Sequence, residues 1–250
     1  MQSRYVLGMR VDATSYSDAC ERVLSWAGEE EFGYVCVSTV HMAMEAYDDP
    51  DYRRIVNGAS LVTPDGVPLV WALRLLGVPH ATRVYGPELT PVLCRRAAAE
   101  GVPVGFYGGS QEALDAMIRN LRARNPELQI AYSYSPPFRS LGQRERDQIV
   151  HAINASGARV LFVGLGCPKQ ERWMAEHQGR VRAVMLGVGA AFDFLAGSKK
   201  QAPAWLQRAG LEWAFRLTTE PRRLWRRYLY HNPRFVALFA AQLASSGLDD

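Results

Sequence analysis

Thr63-Pro64-Asp65-Gly66 sets a lone carboxylate between a short β-branched run and a helical pattern. At such a junction Asp65 can cap the helix, accepting a hydrogen bond from a free N–H of the next turn. It can equally act as a general base at the ligand edge of a sheet, taking a proton from an attacking hydroxyl. Spacing alone leaves both readings standing. A second chemical group lies far downstream. In Pro221-Arg222-Arg223-Leu224-Trp225-Arg226-Arg227-Tyr228-Leu229, arginines and large apolar residues alternate in pairs. On a helix, Arg222, Arg223, Arg226 and Arg227 sweep one arc, and Leu224, Trp225, Tyr228 and Leu229 fill the opposite one. Six arginines and no lysine fall between Trp205 and Pro233, against Glu212 and Glu220. A guanidinium grips phosphate oxygens with a two-pronged fork, which the point charge of lysine lacks. This stretch suits a lipid headgroup, a nucleotide diphosphate, or both.

Three glycine pairs add a third element: Gly108-Gly109, Gly164-Leu165-Gly166 and Gly187-Val188-Gly189, each directly after an apolar run. Glycines there make tight turns, and they also let backbone N–H groups approach a phosphate beyond the carboxyl ends of parallel strands. None completes a GxGxxG pattern with an acidic residue about 20 positions on, so a dinucleotide site is disfavoured. Gly166-Cys167-Pro168-Lys169-Gln170-Glu171 places Lys169 and Gln170 at a helix start facing the same edge, and the Gln170 carboxamide suits a uracil or sugar edge. Asp193 follows Gly189-Ala190-Ala191-Phe192 near that edge, where a helix dipole also favours a carboxylate. His41, at the mouth of the first long strand, is a ligand-orienting group or a structural histidine. Asp49-Pro50-Asp51 matches a DxD metal pattern, but turn chemistry accounts for it. With no other metal cage in view, the expectation is a protein without a bound metal or cofactor.

These groups need a scaffold, and the chain supplies an alternating one. Tyr34–Ser38, Ser60–Thr63, Val104–Tyr107, Gln129–Tyr134, Arg159–Val163 and Ala183–Leu186 read as strands. Met42–Val56 (broken at Pro50), Val67–Leu76, a segment ending near Arg124, and Arg144–Ser156 read as helices. The pattern predicts an α/β fold with a Rossmann-like, mainly parallel sheet flanked by helices. Composition shifts at Gly197–Pro203, which reads as a linker. It divides residues 1–196, a catalytic domain, from residues 197–250, a basic amphipathic helical appendage. The 250 residues are 48% hydrophobic and carry a net charge of +4, ordinary for a globular protein, with the basic excess near the C-terminus. Cys20, Cys36, Cys94 and Cys167 are too scattered for a zinc knuckle or a disulfide framework, which points to reduced thiols. No signal peptide is evident, and the apolar run Phe235–Ala244 is about half of a membrane span. The chain is expected to lie on a membrane without crossing it.

Together these residues resemble one family, the WecG/TagA/CpsF glycosyltransferases, over nearly the whole chain. The resemblance rests on Leu61–Gly77, Arg83-Val84-Tyr85-Gly86, Gly164–Glu171, Gly187–Gly197 and Glu220–Tyr228. It implies an inverting, metal-independent transfer of a hexosyl unit from a UDP-sugar to an undecaprenyl-diphosphate-linked saccharide in cell-surface polysaccharide biosynthesis. The site would be cytoplasmic, on the inner face of the cytoplasmic membrane. It assigns Asp65 as the catalytic base, Arg83, Gln170 and Asp193 as pocket positions, and Arg216, Arg223 and Arg226 as arginines closing over the donor diphosphate. The diphosphate would lie near Gly108 and Gly109. Arg222, Trp225, Arg227, Tyr228 and Leu229 would then face the membrane. One position departs from the family: counted back from Asp65, Thr39 stands where relatives commonly carry asparagine, so one amide donor to the substrate is lost, for which His41 or a water would compensate. The sugar is accordingly left open among an N-acetylmannosamine type, glucose, mannose and a uronic acid. Homo-oligomerisation is also open. No nucleic-acid partner is expected, although a basic nucleic-acid-binding module and a nicotinamide-dependent oxidoreductase are the rival classes.

Overall fold

The computed structural model describes residues 1–208 and 210–246, with the side chains at 204, 208, 223, 227 and 246 outside that description. A six-stranded sheet forms the centre, in the order β4 (Leu61–Pro64), β3 (Tyr34–Ser38), β8 (Val184–Gly187), β7 (Val160–Gly164), β5 (Val104–Gly108) and β6 (Ile130–Tyr134). Every pairing in it is parallel. Apart from the half-exposed edge strand β6, the strands are short and almost wholly apolar because both faces are covered. Val35, Phe106, Phe162 and Leu186 point into one core layer, and their neighbours Cys36, Tyr107, Leu161 and Met185 into the other.

The first layer packs against α1 (Tyr16–Glu29), α5 (Gly86–Ala99), α6 (Gln111–Arg124) and α9 (Ala191–Leu195). The opposite layer holds α2 (Val40–Asp48), α3 (Pro50–Asn57), α4 (Val67–Leu75), α7 (Gln143–Ser156) and α8 (Lys169–His177). A two-stranded antiparallel hairpin, β1 (Ser3–Val6) and β2 (Met9–Asp12), lies against that same layer. All six anticipated strands and the α/β class are borne out.

Beyond α9 the chain makes α10 (Ala204–Arg208), α11 (Glu212–Thr219) and the 26-residue α12 (Pro221–Ser246). The start of α12 is largely exposed, but its end returns to the core. Phe235 and Phe239 are buried, stacked 5.9 Å apart, and packed with the layer that contains α2. The Gln242 carboxamide accepts from the Leu7 N–H at 2.8 Å and donates to the Tyr5 carbonyl at 2.7 Å, tying α12 to the hairpin. Among the described residues no helix is long and apolar enough to cross a membrane.

Candidate active site

The strand order fixes where a ligand can sit. The chain leaves β5 outward toward β6 and leaves β7 in the opposite direction toward β8, so a crevice opens beyond their carboxyl ends. Gly108 occupies its floor at φ +123°, and a Cβ there would lie 2.6 Å from the Gly164 backbone. Only glycine allows this approach. The Gly109 N–H donates to the Gly164 carbonyl at 3.1 Å, locking the two turns together. Gln170, 3% exposed, braces the other side: its Oε1 accepts from the N–H groups of Gly166 and Gly189, both at 3.1 Å. Its Nε2 donates to Glu171 Oε1 at 2.7 Å. The Gln170 carboxamide therefore shapes the glycine loops, a role that its reading as a uracil or sugar contact did not include.

Asp65 stands at the end of β4. Its N–H and that of Gly66 both donate to the Ser38 carbonyl, joining the tips of β4 and β3. It is no helix cap, since α4 starts after Gly66 with no side-chain cap bond. The segment before α5 runs back past this tip, the Val84 N–H donating to the Pro64 carbonyl at 2.9 Å. This brings Arg83 over Asp65. Its Nη2 donates to Asp65 Oδ1 at 3.2 Å and to Glu212 Oε2 at 2.7 Å, and its Nε donates to the Asp65 carbonyl. The guanidinium also stacks on the Tyr85 ring, 4.2 Å from its centroid. Two carboxylates thus share one cation in a half-buried cluster. Burial, helped by the Glu212 charge, pushes the Asp65 carboxyl up to about 6; Arg83 and the Gly86 N–H oppose the rise. A carboxylate tuned this close to neutrality is matched to taking a proton.

Two cavities meet at this carboxylate. One, of about 470 Å³, runs along the glycine edge past Gly109, Gly166, Gln170 and Asp193. That volume is within the range of small-molecule sites. The other lies under the C-terminal helices and is lined by His41, Arg83, Glu212, Trp213, Tyr228 and His231. Thr39, Asp65, Tyr85 and Arg216 border both. Arg216, on α11, sits over the Phe194 ring with its Nε buried and without a hydrogen-bond partner among the described residues. Burial works to lower its pKa, but Tyr228, Tyr85, Glu212 and Asp65 more than reverse this, so it stays charged.

The anticipated residues do not all converge. Thr39, His41, Asp65, Arg83, Gly109, Gln170, Asp193 and Arg216 line one cavity or both, while Gly108 supports from beneath. Thr39 also caps α2, its hydroxyl accepting from the Met42 N–H. Asp193 is held by Lys199, Oδ2 to Nζ at 2.5 Å. Arg226 is exposed on an outer groove beside Trp225 and Leu229, which shares His41 and His231 with the Asp65 cavity but does not reach Asp65. Tyr228, expected on the outward arc, turns inward against Trp213 and lines the Asp65 cavity. Arg222, Trp225 and Leu229 are exposed. The side chains of Arg223 and Arg227 lie outside the described residues. Asp49 is turn chemistry: it caps α3 and pairs with Arg172. Sequence reading gave no site role to Glu212, Lys199, Tyr85 or His231, although Tyr85 lies within the Arg83-Val84-Tyr85-Gly86 motif. Among the described residues one cluster gathers metal-ligating atoms, His41, Glu45 and His231, all within 4.8 Å of one another.

The fold is a doubly wound, Rossmann-like sheet with a tuned carboxylate, able to accept a proton, at its carboxyl edge. Residues 4–247 match the Glycosyl transferase WecG/TagA/CpsF family, and the chain belongs to that family, as its motifs had indicated. The chain is similar to the N-acetylglucosaminyldiphosphoundecaprenol N-acetyl-beta-D-mannosaminyltransferase of Bacillus spizizenii. The two are 29% identical over 227 residues, which cover 90% of this chain and 86% of that one. The protein is therefore a glycosyltransferase, not a nicotinamide-dependent oxidoreductase.

Proposed function

We propose that the protein is an inverting hexosyltransferase that moves a sugar from a UDP-sugar to an undecaprenyl-diphosphate-linked saccharide at the inner face of the cytoplasmic membrane. The UDP-sugar lies along the glycine edge, and the acceptor enters the cavity beneath the C-terminal helices. Asp65, on the border of both, takes the acceptor hydroxyl proton as its oxygen bonds to the anomeric carbon. The glycosidic bond to UDP breaks on the opposite side, and UDP leaves with the bonding electrons. Arg216 and the backbone N–H groups of the glycine turns meet the charge growing on the diphosphate, so the transfer itself needs no metal. Residues 1–196 supply the carboxylate and the glycine edge, and residues 197–250 supply the arginine cover and the membrane contact. The placement of Asp65 and Arg216 between two adjoining cavities carries this reading.

The name of the Bacillus relative supports an N-acetylmannosaminyl donor and an N-acetylglucosaminyl-diphosphoundecaprenol acceptor. A screen of UDP-sugars against that acceptor, scoring released UDP, tests the proposal. The N-acetylmannosamine donor is expected to turn over fastest; glucose, mannose or uronic-acid donors winning would revise the sugar alone. Release of UDP from none of them would overturn the reading.

A further inference from the structure

We propose that His41, Glu45 and His231 form a binding site for a divalent transition metal ion of the zinc type, which fastens α12 to the catalytic core beside the cleft. The ligand types come first. Two imidazoles and one carboxylate suit zinc, cobalt or nickel, whereas magnesium and calcium favour an all-oxygen shell. Their placement is the second ground. His41 and Glu45 stand one turn apart on α2 and so share a face. His41 Nε2 lies 3.3 Å from Glu45 Oε1. That separation is about the edge of a tetrahedron built from bonds of ~2.0–2.1 Å. His231 comes from α12, its ring edge-on to His41 with centroids 5.3 Å apart. One donor atom from each residue falls within 4.8 Å of the others, so small side-chain rotations close the set.

The two helices are already locked at this spacing. Farther along α2 and α12 from this cluster, Arg234 makes a two-pronged pair with Asp48, both bonds at 2.5 Å. Phe235, the next residue, is buried against the core layer. The metal ligands are therefore presented by a rigid interface, the condition under which a small ligand set binds tightly. Three ligands leave a fourth position free. His41 and His231 line both the cavity that holds Asp65 and the outer groove beside Trp225, so the site lies at the boundary between the two. The ion is a clasp for the appendage and takes no part in the proton transfer, and this inference does not depend on which sugar is moved.

Metal binding tests it without any assay of transfer. Metal-stripped protein is titrated with Zn²⁺ by calorimetry and with Co²⁺ by visible absorption. Wild type is expected to take up one tight equivalent of Zn²⁺ and to give the intense bands of four-coordinate Co²⁺. His41→Ala and His231→Ala should weaken that equivalent by at least about tenfold, since even the loss of an outer-shell partner costs roughly 10–100-fold. Glu45→Gln, on a partly exposed position, guards against misfolding: its thermal midpoint without metal should match wild type, while its rise on adding Zn²⁺ should be lost. Sites made by other histidines or by Cys167 would persist in all three variants. Absence of a tight equivalent in wild type, or its survival in the three variants, would overturn the proposal and leave a structural histidine contact.

Discussion

Asp65 is held in a state that works against the fold and, on the proposed mechanism, for the reaction. An unfolded aspartate titrates near ~3.9. Burial raises Asp65 to about 6, so the native protein keeps a proton that the unfolded chain has already lost. Its penalty is absent below about pH 4, grows through the interval, and is complete above about pH 6. Asp65→Asn removes that ionisation. The variant should gain stability relative to wild type as pH rises, by about 2–3 kcal/mol at most above pH 7, measured by urea unfolding across pH. It should keep UDP binding and lose about 10²–10⁴-fold in turnover; unchanged turnover would remove Asp65 as the base. The same titration predicts an acid limb near pH 6 in the pH–rate profile. Glu212 is one cause of the raised value, and it also competes for Arg83. Glu212→Gln should therefore move the acid limb to lower pH, and a limb that stays in place would show that burial alone sets it. Asp65 stood out because a carboxylate between a strand and a helix has few roles, but spacing left cap and base both open, and the resemblance alone pointed to the base. Glu212 did not stand out, because its partner Arg83 stands far away in the sequence.

At the level of elements, the C-terminal helices have two separate duties. α11 carries Arg216 to the border of the two cavities, whereas the exposed start of α12 carries Arg226 away from it. Arg216→Ala should cost roughly 10²–10³-fold in kcat, and Arg216→Lys much of the same, since it keeps the charge but loses the fork. Steady-state kinetics with saturating donor would check this; a pure rise in KM would assign Arg216 to ground-state binding. The end of α12 is structural. Phe239→Ala should destabilise the protein by about 3–5 kcal/mol, read by denaturant unfolding. The helix therefore gives core packing back to a unit expected to end at residue 196. Most of the sheet strands were readable because they are continuous apolar runs ended by glycine or a small polar residue, whereas the edge strand β6 showed itself only by its place in the alternation. The β1–β2 hairpin was not: Leu7 at φ +52° and Gly8 at φ +81° make its turn without the usual Asn-Gly or Asp-Gly signal. Helix α5 hid behind Pro87 and Pro91, which normally mark a break.

At the scale of the whole molecule, the outer side of α12 carries an exposed apolar stripe. Trp225, Leu229 and Val236 are 47%, 60% and 65% exposed. At 100° per residue they fall within about 40° of one another, with Arg222 and Arg226 on their flank. An arginine-edged apolar stripe is the form of a helix that lies in a membrane interface, with its rings among the acyl chains and its guanidinium groups at the phosphates. Leu224 is buried and Tyr228 faces the cavity, so the stripe is narrower than the sequence arc but backed by the site. Binding at a bilayer would bring the cavity under α11 and α12 to the surface where a lipid-linked acceptor is presented. Two double variants separate the contributions in vesicle co-sedimentation. Trp225→Ser with Leu229→Ser should weaken binding by about tenfold or more on both neutral and anionic vesicles, because the loss is apolar. Arg222→Gln with Arg226→Gln should weaken binding on anionic vesicles alone, by about 1 kcal/mol per charge, with the difference fading as salt rises. Both should slow transfer to a lipid-linked acceptor and spare transfer to a short-chain soluble one. If both variants sediment like wild type, the stripe has another partner, and the acceptor reaches Asp65 without the membrane holding the enzyme in place.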